Sequence, residues 1–424
     1  MGEPYLSDGV DFGDVLLASG KALVAFVVLL VSVMLMVWFE RKVVSRLQNR
    51  IGPNIAGPFG LFQTLADGIK LFFKEDNIPE RSDPLVFKLA PYLSLVPAFL
   101  TFSIIPIAGD FNGTNNGSVT IFGRETFLQV ADVPVGILLF LAMSSIGVYG
   151  IMLAGWSSGS KYPLIGSVRA TAQAISYEAA LGLSLASVIL LSGSLSTNEI
   201  VSSQAGAGFA GFIPNWHVLT SAIVPFVIFL IAGTAELNRP PFDLVEAEQE
   251  LVGGFHTEYS SIRFALFFLA EFMNTVTMGA IIVTLFFGGP AGPNFGLMPG
   301  WLWGFVWFFL KLMVFLFIFV WFRATLPRLR YDQLMDLGWK ILIPLSLAWL
   351  LILGGLRLSS PNSENSIALR LVDNDFWNSL VFVGFALIIF SVGYVLLIMA
   401  ITTARSDRLA SKGLVSVATE DEVS

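Results

Sequence analysis

Runs of apolar residues near 15–39, 85–107, 133–153, 169–192, 219–236, 263–286, 301–320, 339–356 and 379–400 constrain this chain more than any other feature. A helix needs about 20 such residues to cross a hydrocarbon core about 30 Å thick, and no backbone polar group can be left bare inside it. The expected fold is therefore an all-α integral membrane protein with about nine transmembrane helices. Only 13% of the 424 residues are charged, against about 25% in soluble domains, and the mean hydropathy is +0.76. No soluble domain interrupts the spans, and no short-period repeat is evident.

Charge placement orients the spans. The segment before the first carries Glu3, Asp8, Asp11 and Asp14 but no base until Lys21, so it lacks the basic start of a cleaved signal peptide. The N-terminus is expected outside. Alternation from there puts only Arg124, Arg357 and Arg370 in outer loops, with Lys21 at the outer end of the first span and Lys311 inside the seventh. The other Lys and Arg fall on the inner side, as the positive-inside rule requires, and the C-terminus is inside. The outer segments Asn112–Ser118 and Ser202–Gly208 are Gly-, Asn- and Ser-rich and read as solvated connections. The chain has no cysteine and only His217 and His256, so no thiolate-ligated cluster, disulfide, haem or metal cage is expected. A net charge of −7 argues against nucleic acid as a partner.

Three features suggest chemistry. First, after the breakers Gly52-Pro53-Asn54 and Gly57-Pro58, Phe59, Phe62, Leu65, Ile69, Phe72 and Phe73 recur at helical spacing, which predicts an interfacial amphipathic helix. An ordinary solvent-facing loop helix is the alternative. Second, at 1.5 Å per residue Glu178 lies about 13 Å beyond Arg169, Glu271 about 12 Å beyond Arg263 and Lys311 about 18 Å from Arg323, all near mid-membrane. Ionisable groups there mark ion or proton paths, or else pair as structural charges. Third, the inner loop from Glu236 holds Asp243, Glu246, Glu248, Glu250 and Glu258 with only Arg239 to balance them. Carboxylates this close raise one another's pKa and titrate as a group. If that stretch is helical, Asp243, Glu246 and Glu250 share a face.

Several blocks carry a family resemblance. Glu40-Arg-Lys, Gln48 to Asn54, Leu65 to Glu75, Ala235 to Phe255 and Trp321 to Met335 together resemble the H-type membrane subunits of the proton-pumping NADH-quinone oxidoreductase, respiratory complex I. The mitochondrial branch of that family is NADH dehydrogenase subunit 1. The likeness extends over roughly residues 15–350, and the Pro-Pro-Phe-Asp form of the acidic loop looks bacterial. It implies a translocase component of the bacterial inner (plasma) membrane that forms most of a quinone tunnel and begins a line of charged residues for proton translocation.

Residue by residue, the resemblance assigns Glu40, Arg41, Arg50, Asp67, Lys70, Arg323, Arg328, Arg330 and Asp332 to the quinone cavity and the loops facing it. Phe59, Phe62 and Phe73 would supply an apolar wall for the quinone tail. Glu178, Glu236, Asp243, Glu246, Glu248, Glu250, Glu258 and Glu271 match an acidic proton relay, with Lys311 beyond. The family-like membrane domain is 1–356, with tunnel loops at 40–84, 154–168, 237–262 and 321–338. The extension 357–424, with the ninth span and a cytoplasmic tail, has no implied role. Quinone (ubiquinone or menaquinone) is the implied substrate. No cofactor is expected on this chain, and NADH, flavin and iron-sulfur clusters belong to partner subunits of the respiratory chain complex. Those partners are hydrophilic quinone-module subunits on the cytoplasmic side and small and antiporter-like membrane subunits, so the chain alone is expected to catalyse nothing. A membrane subunit of an energy-converting hydrogenase and a free-standing cation/proton antiporter are the competing classes.

Overall fold

A computed structural model describes residues 11–111, 116–121, 123–206, 214–219, 222–244, 252–294 and 298–358. Seven helices among them are long and apolar enough to cross a membrane, so the chain is an all-α multi-pass protein. The elements are α1 (Phe12–Leu47), α2 (Gln63–Phe73), α3 (Pro84–Phe102), the strands β1 (Ser118–Ile121) and β2 (Arg124–Phe127), α4 (Gly136–Ser157) and α5 (Lys161–Ser192). They continue with α6 (Thr197–Gln204), α7 (Ile223–Glu236), α8 (Ser261–Phe286), α9 (Gly300–Thr325), α10 (Tyr331–Leu337) and α11 (Ile343–Leu358). A π-helical turn, Gly338–Leu342, joins the last two into one span. The expected ninth span, 379–400, and the tail lie outside the described residues.

Local chemistry starts and stops these helices. Asp11 caps α1, accepting from Phe12 N while Asp14 accepts from Asp11 N at 2.8 Å, a reciprocal capping box. Asp83 caps α3, accepting from Leu85 N at 3.1 Å, with Pro84 in the first turn, where its missing N–H has no partner to lose. In lipid, apolar side chains gain little by leaving the solvent, so helices associate through close packing of small residues. Gly150 on α4 is such a contact, since a Cβ there would lie 2.2 Å from Ser94 Oγ on α3. The most enclosed span is α8, with 72% of its apolar window buried against its neighbours.

The span expected at 219–236 is shorter than its apolar run. Its helix α7 has 14 residues, a rise of about 21 Å. Before it, His217–Leu219 forms a 3-10 turn held by side chains: His217 N donates to Gln204 Oε1 at 3.1 Å, and Gln204 Nε2 donates to Thr284 O at 3.1 Å. Irregular backbone at such depth is tolerated where protein covers it and satisfies its polar groups. The loop between α3 and α4 also departs from a plain connection. Its strands form an antiparallel hairpin with Ser118 opposite Phe127, and Arg124 reaches Asp14 and, at 3.0 Å, Asp11 on α1.

The amphipathic segment is a helix, α2, and it is tied at both ends. Arg41 Nη1 meets Asp67 Oδ2 at 2.7 Å, and Ser261 Oγ donates to Leu71 O at 3.0 Å and Lys74 O at 2.7 Å. Trp38 Nε1 donates to Phe59 O at 3.1 Å. Gly60 makes the preceding bend possible, with φ at +77° and a Cβ position only 2.3 Å from Pro53 O, a conformation and a clearance that suit only glycine. Phe59, Phe62, Leu65, Ile69, Phe72 and Phe73 are all exposed, so the apolar face turns away from the bundle, as an interfacial helix requires.

Asp67 makes that anchor pH-dependent. Burial raises its pKa, but the Arg41 guanidinium and Gln63 amide outweigh it and hold the carboxyl below its ordinary 3.8. Because the folded-state pKa is depressed, the stabilisation is complete above the ordinary value and is lost as pH falls through the lowered one. A spin label at Phe72→Cys should stay immobile at neutral pH and gain mobility only in that acid range. Equal mobility throughout would mean that the Arg41–Asp67 pair does not hold α2.

Candidate functional site

The site is built where α7 stops. Asn238 adopts φ +51°, a left-handed conformation that Asn tolerates better than most residues, and Pro240 cannot continue a helix. Buried Gln173 on α5 grips the turn, its Nε2 donating to Ala235 O at 2.7 Å and Phe242 O at 2.9 Å. Leu329 N donates to Pro241 O at 3.0 Å, bringing in the segment after α9. These constraints aim Arg239 inward.

Arg239 is the hub of a buried ion cluster. Its Nη1 lies 2.8 Å from Glu40 Oε2 on α1 and its Nη2 3.1 Å from Glu271 Oε1 on α8, and the guanidinium sits 4.5 Å from the Phe272 ring centre. Arg323 from α9 meets the other Glu40 oxygen, and Arg328 Nη2 meets Asp243 Oδ2 at 2.9 Å. Arg239 and Glu40 are almost fully enclosed, whereas Arg323 and Arg328 are more exposed and lead outward. Burial on this scale is tolerated only because each charge is paired with an opposite one.

Next to the hub is a cavity of about 100 Å³, lined by Glu236, Glu271, His256, Asn238, Asn274 and Ser144 among others. Its volume and the polar groups in its wall suit several waters. Ser144 donates to Glu236 Oε1, and its neighbour Ser145 donates to Glu178 Oε1 on α5. Adjacent serines on α4 thus reach acids on two further helices. Glu236 Oε2 is buried with no hydrogen-bond partner. His256 lies against Phe255 with ring centroids 3.8 Å apart and planes tilted by 34°, and burial pushes its imidazole down to about 4, which keeps it neutral at physiological pH.

The remaining candidates are placed as follows. Arg50 contacts Gln48, Lys70 lies 3.5 Å from Asp67, and Arg330 lies 3.3 Å from Asp332, all among exposed side chains. Phe59, Phe62 and Phe73 are exposed and close no apolar wall among the described residues. Glu258 is half-buried, outside the cluster, next to Tyr259, whose ring stacks 4.1 Å from Phe87. Asp243 lies in irregular chain, and Glu246, Glu248 and Glu250 lie outside the described residues. Lys311 is not brought to the carboxylates: its Nζ donates to Phe287 O at 2.7 Å, Gly289 O at 2.9 Å and Ala291 O at 2.7 Å, the carbonyls that follow α8. A cation suits the negative end of a helix. Sequence reading missed Ser144, Ser145, Gln173 and His256, although a serine pair and a lone Gln within apolar spans are visible signals.

Fold and site together define a multi-pass helical membrane protein with a buried line of paired ionisable groups. The family profile described as NADH dehydrogenase matches residues 20–354, and the chain belongs to that family. It is 51% identical over 363 residues to the H subunit of the NADH-quinone oxidoreductase of Frankia alni, covering 84% of this chain and 76% of that one. It is 52% identical over 342 residues to the protein of the same name in Frankia casuarinae, with coverages of 80% and 72%. The corresponding Streptomyces avermitilis protein, again of that name, is 48% identical over 343 residues, with 80% and 72% covered.

Proposed function

We propose that this chain is the component of a bacterial NADH-quinone oxidoreductase that walls the quinone tunnel and couples quinone reduction to proton translocation. One observation carries the reading: an almost unbroken series of ionisable and hydroxyl groups runs from the exposed inner loops to mid-span. It begins at Arg323 on Glu40, passes through Arg239 to Glu271, crosses the cavity to Glu236, and reaches Glu178 by way of Ser144 and Ser145. Quinone is uncharged, so Arg323 and the other inner-end bases would act by hydrogen bonding and by setting the local potential. Reduction to quinol takes up two protons, and the resulting change of charge near Glu40 would shift the protonation of Glu271 and Glu236 through the shared Arg239. Waters in the cavity would carry the proton between them. The proposed step ends at Glu178 and does not require Lys311.

The N-terminus would lie outside the plasma membrane and the cluster on the cytoplasmic side, facing hydrophilic subunits that hold flavin and iron-sulfur clusters. The exposed rings of Phe59, Phe62 and Phe73 would then complete an apolar passage only against such a partner or against lipid. The assembled complex with Arg323→Ala should lose quinone turnover by roughly tenfold, the factor for one charged hydrogen bond. NADH reduction of hydrophilic artificial acceptors should be unchanged, because electron input lies elsewhere. Parallel loss of both activities would remove Arg323 from the quinone site.

A further inference from the structure

At the end of the bundle opposite the ion cluster, the first half of α1, the hairpin and the start of α9 enclose a second cavity of about 600 Å³. Its walls are mostly apolar, with Leu17, Val24 and Val28 on one side and Val130, Trp301 and Phe305 on the other. One lining residue is out of keeping with them. Gln129 is 2% exposed, and neither its Nε2 nor its Oε1 has a hydrogen-bond partner. Its backbone is fixed on both sides, since Ile107 N donates to Leu128 O and Val130 N to Ser103 O, each at 3.2 Å. A buried carboxamide that can neither leave nor find a protein partner is a vacant donor and acceptor for a ligand.

The rim carries charges of both signs. Lys21 and Arg124 line the cavity; Lys21 Nζ donates to Thr126 Oγ1 at 3.0 Å, and Arg124 bridges Asp14 and Asp11. The Asp11 side chain is 73% exposed and paired with Arg124, so an anionic group stands at the mouth beside a cation. We propose that the cavity binds one phospholipid whose headgroup ends in a primary ammonium. Its phosphate lies between Lys21 and Arg124, its ammonium faces Asp11, and one acyl chain follows the apolar walls. The Gln129 amide reaches both sides of the phosphate, Nε2 donating to an ester carbonyl and Oε1 accepting one ammonium N–H while the others face Asp11. A trimethylated headgroup has the same charge but no N–H, so it would leave Oε1 unsatisfied.

The test uses the assembled complex in lipid nanodiscs and two photoreactive phospholipids with the same diazirine acyl chain, one with an ethanolamine and one with a choline headgroup. Adducts are mapped to peptides by mass spectrometry. The ethanolamine probe should label 16–28 and 121–130 roughly tenfold more than the choline probe, as one hydrogen bond to a buried amide implies. Gly20→Trp, which puts an indole where nothing lies within 4 Å of the Cβ position, should abolish the excess. Gln129→Leu, close in size, should do the same and guards against failed assembly of the bulkier variant. Equal labelling by both probes would mean ordinary boundary lipid, and an unchanged excess in both variants would place the bound lipid elsewhere. Cross-links from these walls to another subunit or to 359–424, without lipid adducts, would assign the cavity to a protein segment. Each of these outcomes overturns the proposal.

Discussion

Replacing Arg239 with Met is expected to destabilise this protein by about 3 kcal/mol, at the low end of the range of about 3–5 kcal/mol for removing one partner of a buried ion pair. The reason is local. Arg239 satisfies Glu40 at 2.8 Å and Glu271 at 3.1 Å, and without it both carboxylates stay enclosed with less compensation. The loss is held to the low end because Arg323 still contacts Glu40. A lowered unfolding midpoint of the purified complex, together with partial loss of this chain during purification, would register the effect. Pairing the change with Glu40→Gln should recover part of the stability, since two neutral groups replace an orphaned charge. A change below about 1 kcal/mol, with no recovery in the double variant, would show that the cluster is better hydrated than its burial suggests.

The second large effect is catalytic. Glu236→Gln keeps the shape of the side chain and an oxygen for the Ser144 hydroxyl, but it can no longer release a proton. Glu178→Gln does the same opposite Ser145. Neither acid has a second carboxylate within its own hydrogen-bonded contact, so a neighbour is poorly placed to substitute. Assembled complexes with either change should lose quinone-dependent turnover by roughly a hundredfold, the scale for removing a positioned proton-transfer group. Single changes at Glu246, Glu248 or Glu250 should be milder, because a cluster of acids can share a proton.

Much of this arrangement was legible in the sequence, for a physical reason. A bilayer forces every span to be a long apolar helix, so seven of the expected spans follow from counting residues. Exposed apolar spacing likewise foretold α2. What was not legible depends on contacts between distant segments. The apolar run at 219–236 does not show that Gln204 and His217 hold its start out of the helix. Depth alone placed Lys311 with the acids, whereas three carbonyls after α8 hold it. The loop charges suggested a cluster of carboxylates repelling one another; Glu246, Glu248 and Glu250 lie outside the described residues, and Asp243 and Glu271 are each matched to an arginine, one of them from the segment after α9. The hairpin beside α1 gave no signal strong enough to set it apart from a polar loop.

The central claim is that Glu236 and Glu178 carry protons rather than merely filling space. Complexes with Glu236→Gln or Glu178→Gln, with subunit content verified, can be reconstituted in sealed vesicles and supplied with NADH and a quinone while acidification and NADH oxidation are followed together. The account predicts that oxidation and acidification fall in step, while reduction of a hydrophilic acceptor by NADH continues at the wild-type rate. Full oxidation with full acidification in both variants would contradict it and leave these acids as structural charges.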